Sequence, residues 1–155
     1  MRKFLYSLCL LAVLGLASCH SNTDGNALLS RTFTASGWER FDFITKQVEL
    51  KRPTTYNLNM EVTFAPSYAY DHLTVVFTVF DANGNPLRAK NYDFRLKDAE
   101  GQWKSELKEG GYTFNLPINS ELSLSEAGTY MFQLENRMPI TPLEGIKKIA
   151  IINQQ

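Results

Sequence analysis

Few side chains in this 155-residue chain could move a proton, hold a metal or attack a carbonyl. It has two histidines and two cysteines. His20 falls in a polar stretch, and His72 stands alone in Tyr70-Asp71-His72, which offers two donors where a metal site needs three or four that converge. A serine nucleophile on a sharp strand-to-helix turn would read Gly-x-Ser-x-Gly, and the chain has no such run. Asp93, Asp98, Glu100 and Glu106 are the carboxylates that could pair for glycoside hydrolysis. All four lie in turn-forming or strongly charged sequence, where a solvated charge is the ordinary state. No glycine-rich phosphate loop occurs. The expectation is a protein that is not an enzyme, with no metal and no cofactor.

Two constellations suit binding instead. Pro66-Ser67-Tyr68-Ala69-Tyr70-Asp71-His72 puts two tyrosines on one side of a strand entry. They could stack a sugar or a peptide, or they could close the end of a core. Glu135 to Gly145, ENRMPITPLEG, is a long proline-containing link that carries Arg137, Met138, Ile140 and Leu143. Arginine and methionine are enriched at protein interfaces, so Tyr68, Tyr70, Arg137, Met138 and Leu143 are the candidate partner-binding residues. The competing reading of the link is a loop that covers a sheet edge.

The remaining chemistry belongs to Cys19. Met1-Arg2-Lys3 is followed by thirteen residues, Phe4 to Leu16, in which Ser7 is the one clearly polar side chain. That is a charged region and an apolar region of secretory-signal length, shorter than the roughly 20 apolar residues of a membrane span. Small residues, Ala17 and Ser18, then precede the cysteine. Leu16-Ala17-Ser18-Cys19 resembles the lipobox of bacterial lipoproteins. The resemblance implies that the Cys19 thiol receives a diacylglycerol, that the signal is cut before it and that the new amino group is acylated. Each buried CH₂ contributes about 0.8 kcal/mol, so one acyl chain holds marginally and two or more hold firmly. His20, not aspartate, follows the cysteine, so the expected location is the outer membrane. The polar stretch His20 to Asn26 reads as a flexible spacer without a tight acidic cluster, and the preferred orientation faces the periplasm. Cys9 leaves with the signal and Cys19 is blocked by lipid, so the mature chain has neither free thiol nor disulfide. The expected division is a signal at 1–18, a tether at 19–30 and one folded domain at 31–155.

Removing residues 1–18 takes away Arg2 and Lys3 and leaves 14 basic residues against 16 acidic ones. A net charge near −2 gives no bulk attraction for nucleic acid. Along the domain, the apolar residues of Tyr56 to Phe64 alternate strictly with polar ones, the period of a half-buried strand. Phe43 to Leu50 alternates less regularly. Leu73 to Phe80 is β-branched and aromatic on both faces, which suits a central strand. Asn83-Gly84 predicts a hairpin turn, with a return strand over about 87–96. Lys97 to Gly111 is the most charged stretch and reads as a loop with a short strand or turn near Trp103. Short strands are expected at 120–124, around Tyr130-Phe132-Leu134 and at 146–152. Tyr130 follows a turn two residues before an inward aromatic, the pattern of a tyrosine corner. Frequent turn signals and no amphipathic helix predict an all-β domain. The architecture expected is a sandwich of Ig-like or jelly-roll Greek-key type with about seven to nine strands. A closed antiparallel barrel is the alternative.

Gly37-Trp38, Tyr56-Asn57-Leu58, Gly101-Gln102-Trp103, Ala127-Gly128-Thr129-Tyr130 and the run FQLENRMPITPLEGIKKIAI together resemble the GldH-like gliding-motility lipoproteins of the Bacteroidota. The motifs occur in the family's order across the mature chain. Asn136 stands where the family usually has glutamine, and Lys104-Ser105-Glu106 departs from its pattern after Trp103. The resemblance implies a non-enzymatic envelope lipoprotein with protein partners, needed for gliding and linked to type IX secretion. The alternative is a carbohydrate-binding lipoprotein of a glycan-uptake system that uses Trp38, Tyr68, Tyr70 or Trp103 as stacking platforms.

Overall fold

The computed structural model describes residues 27–154; Cys19, the signal and the spacer through Asn26 lie outside the described residues. Nine strands run in chain order: β1 (Ala27–Thr32), β2 (Ile44–Leu50), β3 (Thr54–Phe64), β4 (His72–Phe80), β5 (Pro86–Arg95), β6 (Leu107–Lys108), β7 (Gly111–Leu124), β8 (Gly128–Asn136) and β9 (Ile146–Asn153). They form two antiparallel sheets, ordered β1-β9-β3-β7-β6 and β2-β8-β4-β5. The chain crosses between the sheets repeatedly, and each sheet keeps two open edges. The molecule is therefore a sandwich and not a closed barrel.

The period-two pattern decides which face each strand buries. On β3, Tyr56, Leu58, Met60, Val62 and Phe64 all point inward and are buried. On β4, Leu73, Val75, Phe77 and Val79 do the same, and β4 lies between β8 and β5 as a central strand. Tyr56 of one sheet meets Phe132 of the other edge-on, ring centroids 5.8 Å apart, within a single core. At roughly 25 cal/mol per Å² of apolar surface buried, this contact between the sheets is the main source of stability.

The strand registers give the sandwich two distinct ends. Ala27 pairs with Ile152, and the Gln154 N–H donates to the Asn57 carbonyl, so the entering chain and the last strand's end share one end, the entry end. Thr32 pairs with Lys148 and Phe64 with Ile146 and Tyr112, which gathers the loops 33–43, 65–71, 96–106 and 137–145 at the opposite, far end.

Two expectations need correction. Residues 27–30, assigned to the tether, form the first part of β1 and so belong to the folded domain. β7 is fourteen residues long and not a short strand at 120–124. Phe114, Leu116 and Ile118 alternate with Thr113, Asn115 and Pro117, and the proline is accommodated because β6 covers β7 only at Gly111 and Tyr112. The hairpin expected at Asn83-Gly84 is present, joining β4 to β5 through the five residues 81–85. Only Gly84 has positive φ, at 82°, and the Asp81 carboxylate accepts the N–H groups of Asn83 and Asn85, both at 2.8 Å. Those bonds hold the Asp81 carboxyl below its usual range, the Asn85 side chain contributing most.

The Tyr130 hydroxyl donates to the Glu126 carbonyl at 3.0 Å, back across the turn that precedes β8, which is the geometry of a tyrosine corner. Tyr130→Phe is expected to lower stability by about 0.5–1.5 kcal/mol, the net worth of one hydrogen bond. Urea denaturation at constant m-value measures it.

β5 is an edge strand with an unusual inner face. Tyr92 and Phe94 pack inward, but Lys90 and Arg88 stand opposite inward-facing Phe77 and Val79. Lys90 lays its ammonium 5.0 Å from the centre of the Tyr92 ring.

Candidate functional site

The far end is built around Gly37-Trp38. Trp38 is fully buried, so its indole N–H needs an internal acceptor; Nε1 donates to the Asp42 carbonyl at 2.7 Å. Its main chain exchanges two hydrogen bonds with Leu143, 3.0 Å and 2.9 Å, a one-rung ladder between loops about a hundred residues apart. Asn136, 2 % exposed, joins the same segments through both ends of its amide. Nδ2 donates to the Trp38 carbonyl at 3.2 Å, and Oδ1 accepts the Met138 N–H at 2.9 Å. The Arg40 guanidinium donates through Nη2 to the Met138 and Pro139 carbonyls, at 3.0 Å and 2.9 Å. The Arg40 N–H donates to the Thr141 hydroxyl, which donates in turn to Glu39. Loops 33–43 and 137–145 are thus one cross-braced block.

The neighbouring loop is tied to that block where the Ala65 N–H donates to the Gly145 carbonyl at 2.8 Å. Tyr68 is buried, its hydroxyl donating to the His72 carbonyl at 2.8 Å, and burial pushes its phenol far above the ordinary range. Tyr70 is half-buried and meets Tyr68 edge-on at 5.5 Å. Trp103 stacks on Tyr112 with centroids 4.2 Å apart, and the Lys97 ammonium sits 4.6 Å from its ring centre. Asp71 accepts from both His72, at 2.7 Å, and Arg95; the hydrogen bond from His72 first, and the Arg95 charge, hold its carboxyl below the usual range. Among the described residues no three His, Cys, Asp or Glu side chains gather as a metal-holding group.

Of the five candidate partner-binding residues, the structure places three in the core. Tyr68, Met138 and Leu143 are at most 1 % exposed. Tyr68 closes the end of the sandwich, Met138 accepts the Thr74 N–H on its sulfur at 3.3 Å, and Leu143 pairs with Trp38. Only Arg137, exposed and paired with Glu135 at 3.1 Å, and half-buried Tyr70 offer surface. What the link 137–145 covers is the end of the core around Trp38.

Sequence reasoning passed over Arg40 and Phe41. Phe41 is 69 % exposed with φ at 65°, and with Arg40, Asn136 and Arg137 it lines a recess of about 170 Å³. The available signal was two phenylalanines inside the charged run Glu39-Arg40-Phe41-Asp42-Phe43. At the entry end a larger open groove, about 560 Å³, runs between the sheets past Val79, Leu87, Arg88, Leu122, Leu124 and Tyr130.

Among solved structures, a family 35 carbohydrate-binding module from Clostridium thermocellum is similar at 17% identity and a TM-score of 0.46, with 83% of this chain and 93% of that one covered. A protein from Sulfurospirillum deleyianum is similar at 13% identity and a TM-score of 0.44, covering 81% and 96%. An exo-beta-1,3-galactanase from Phanerochaete chrysosporium is similar at 15% identity and 0.44, over 79% of this chain and 26% of that one. Among curated proteins none matches. The family model described as GldH lipoprotein matches residues 29–152. That span runs from inside β1 to inside β9 and takes in both halves of the cross-braced far end, so this chain belongs to the GldH lipoprotein family.

Proposed function

We propose that the protein is an outer-membrane lipoprotein, acylated at Cys19 and facing the periplasm, that serves as a non-enzymatic binding subunit of an envelope assembly of the gliding-motility and type IX secretion kind. Family membership supports the lipoprotein and the envelope. The observation that carries the binding role is the polarity of the sandwich. The chain enters at Ala27, and the block made of Trp38, Arg40, Asn136 and Leu143 stands at the other end, braced by hydrogen bonds within two loops. Loops held this rigidly lose little entropy on meeting a partner. Of the four stacking platforms of the glycan alternative, Trp38 and Tyr68 are in the core and Trp103 stacks on Tyr112 beside Lys97, which leaves half-buried Tyr70.

The test is Cys19→Ser. Loss of the acyl chains is expected to lower the membrane-pelleted fraction by more than about tenfold and to abolish function while the soluble domain keeps its melting temperature. Crosslinking in native envelopes then reads the partners of the acylated protein. A variant that still pellets, or a wild-type protein that is solitary in its envelope, overturns the reading.

A further inference from the structure

Phe41 combines two disfavoured states. Among the described residues it is the only non-glycine residue with positive φ, and it is the most exposed of the large hydrophobic side chains. The left-handed region is unfavourable for a bulky side chain, and such a conformation persists where its surroundings over-determine it. Here they do. The Asp42 carbonyl just after Phe41 accepts from the Trp38 indole, and the Asp42 carboxylate pairs with Arg31 at 2.5 Å. Arg31 also donates to the Phe43 carbonyl, and Arg40 just before Phe41 is bolted to the carbonyls of Met138 and Pro139. The backbone is pinned on both sides, and the ring is left exposed to solvent.

The charge beside it has no carboxylate partner among the described residues. Among the described residues the ion pairs join Arg31, His72, Arg95 and Arg137 to carboxylates, and none involves Arg40. Arg40 bonds carbonyl oxygens through one nitrogen only, and its guanidinium lines the recess at Phe41. A guanidinium with no carboxylate partner and N–H groups to spare is a strong site for a carboxylate, and an aromatic flanked by arginine is the composition of an interface hot spot.

We propose that Phe41 and Arg40 are the docking point for a protein partner that offers an apolar pocket for the ring and a carboxylate at its rim for the guanidinium. The proposal rests on the binding-subunit reading above. A lipid surface could also take an aromatic and an arginine, but the chain enters at the opposite end of β1, so an anchored molecule presents Phe41 away from its own membrane.

The experiment uses the full acylated protein in its native envelope. A photocrosslinking aromatic residue replaces Phe41 in one version and Leu87, at the entry end, in another. The partner joined at position 41 is purified, its crosslinked segment is sequenced, and its affinity for wild type, Phe41→Asn and Arg40→Gln is measured against salt. Asparagine tolerates positive φ, so Phe41→Asn is expected to melt at or above the wild-type temperature while binding at least about tenfold more weakly. Arg40→Gln is expected to weaken binding and flatten its salt dependence, and the crosslinked segment is expected to hold Asp or Glu. Crosslinks from position 87 alone overturn this proposal and leave the binding-subunit reading standing. Lipid joined at 41 overturns it in favour of a membrane contact, and unchanged affinity in Phe41→Asn overturns it outright. No protein joined from either position counts against both readings.

Discussion

Trp38→Ala is expected to lower the free energy of unfolding by about 3–5 kcal/mol, the usual cost of truncating a buried tryptophan. The side chain is entirely buried, stands 5.4 Å from the Phe33 ring and donates to the Asp42 carbonyl. Truncation opens a cavity and removes that carbonyl's donor together. Domains of this size are stable by about 5–15 kcal/mol, so the loss is a large share of the whole. Urea denaturation should show a lower midpoint with little change in slope. Trp38→Phe separates the causes, because it keeps most of the apolar volume and removes only the indole N–H. A cost for alanine below about 1 kcal/mol would mean that the far-end loops are not joined through this residue.

Gly145→Ala is the second large effect. Gly145 has φ at 85°, and a Cβ built there would lie 2.9 Å from the Tyr68 Cα and 3.1 Å from its nitrogen. Those atoms are backbone, held by the turn that Ala65 and Tyr68 close, and cannot swing away as a side-chain tip would. Left-handed strain of about 1–2 kcal/mol and overpacking of about 1–3 kcal/mol give an expected loss of roughly 2–5 kcal/mol, read by the same denaturation. Gly84→Ala is the control. Its φ is 82°, yet a Cβ there meets nothing within 4 Å, so it bears the strain alone. The difference between the two variants measures how tightly the loop after Met138 is pressed onto Tyr68.

The sandwich was legible wherever one strand's own pattern decided the matter. Alternation in Tyr56–Phe64 and two-sided apolarity in Leu73–Phe80 mark an amphipathic and a central strand without knowledge of the partners. β7 was not legible, because Pro117 is ordinarily a strand breaker and becomes harmless only at an edge, which is a fact of topology. The far end was legible in part. Trp38 and the link ENRMPITPLEG both stood out, but nothing local says that residue 38 pairs with residue 143. Asn136 reads as a surface residue until Trp38 and Met138 are placed at its two ends. Met138 and Leu143 looked like interface residues for the same reason that they are core residues, since both environments select apolar bulk. The backbone angle of Phe41 leaves no trace in composition at all.

Lys90 and Arg88, turned inward on β5, bear on how such molecules behave when crowded. Lipid-linked copies would share a plane, where side-by-side encounters are frequent and the ten-residue rim of β5 is a ready template for strand-to-strand polymerisation. A neighbour that zipped onto this rim would set its own inner-face side chains beside two cations that are exposed on β5, opposite Phe77 and Val79 in register. Charges set at inner-face positions of an edge disfavour such pairing, one of the ways in which natural sheets blunt their open rims.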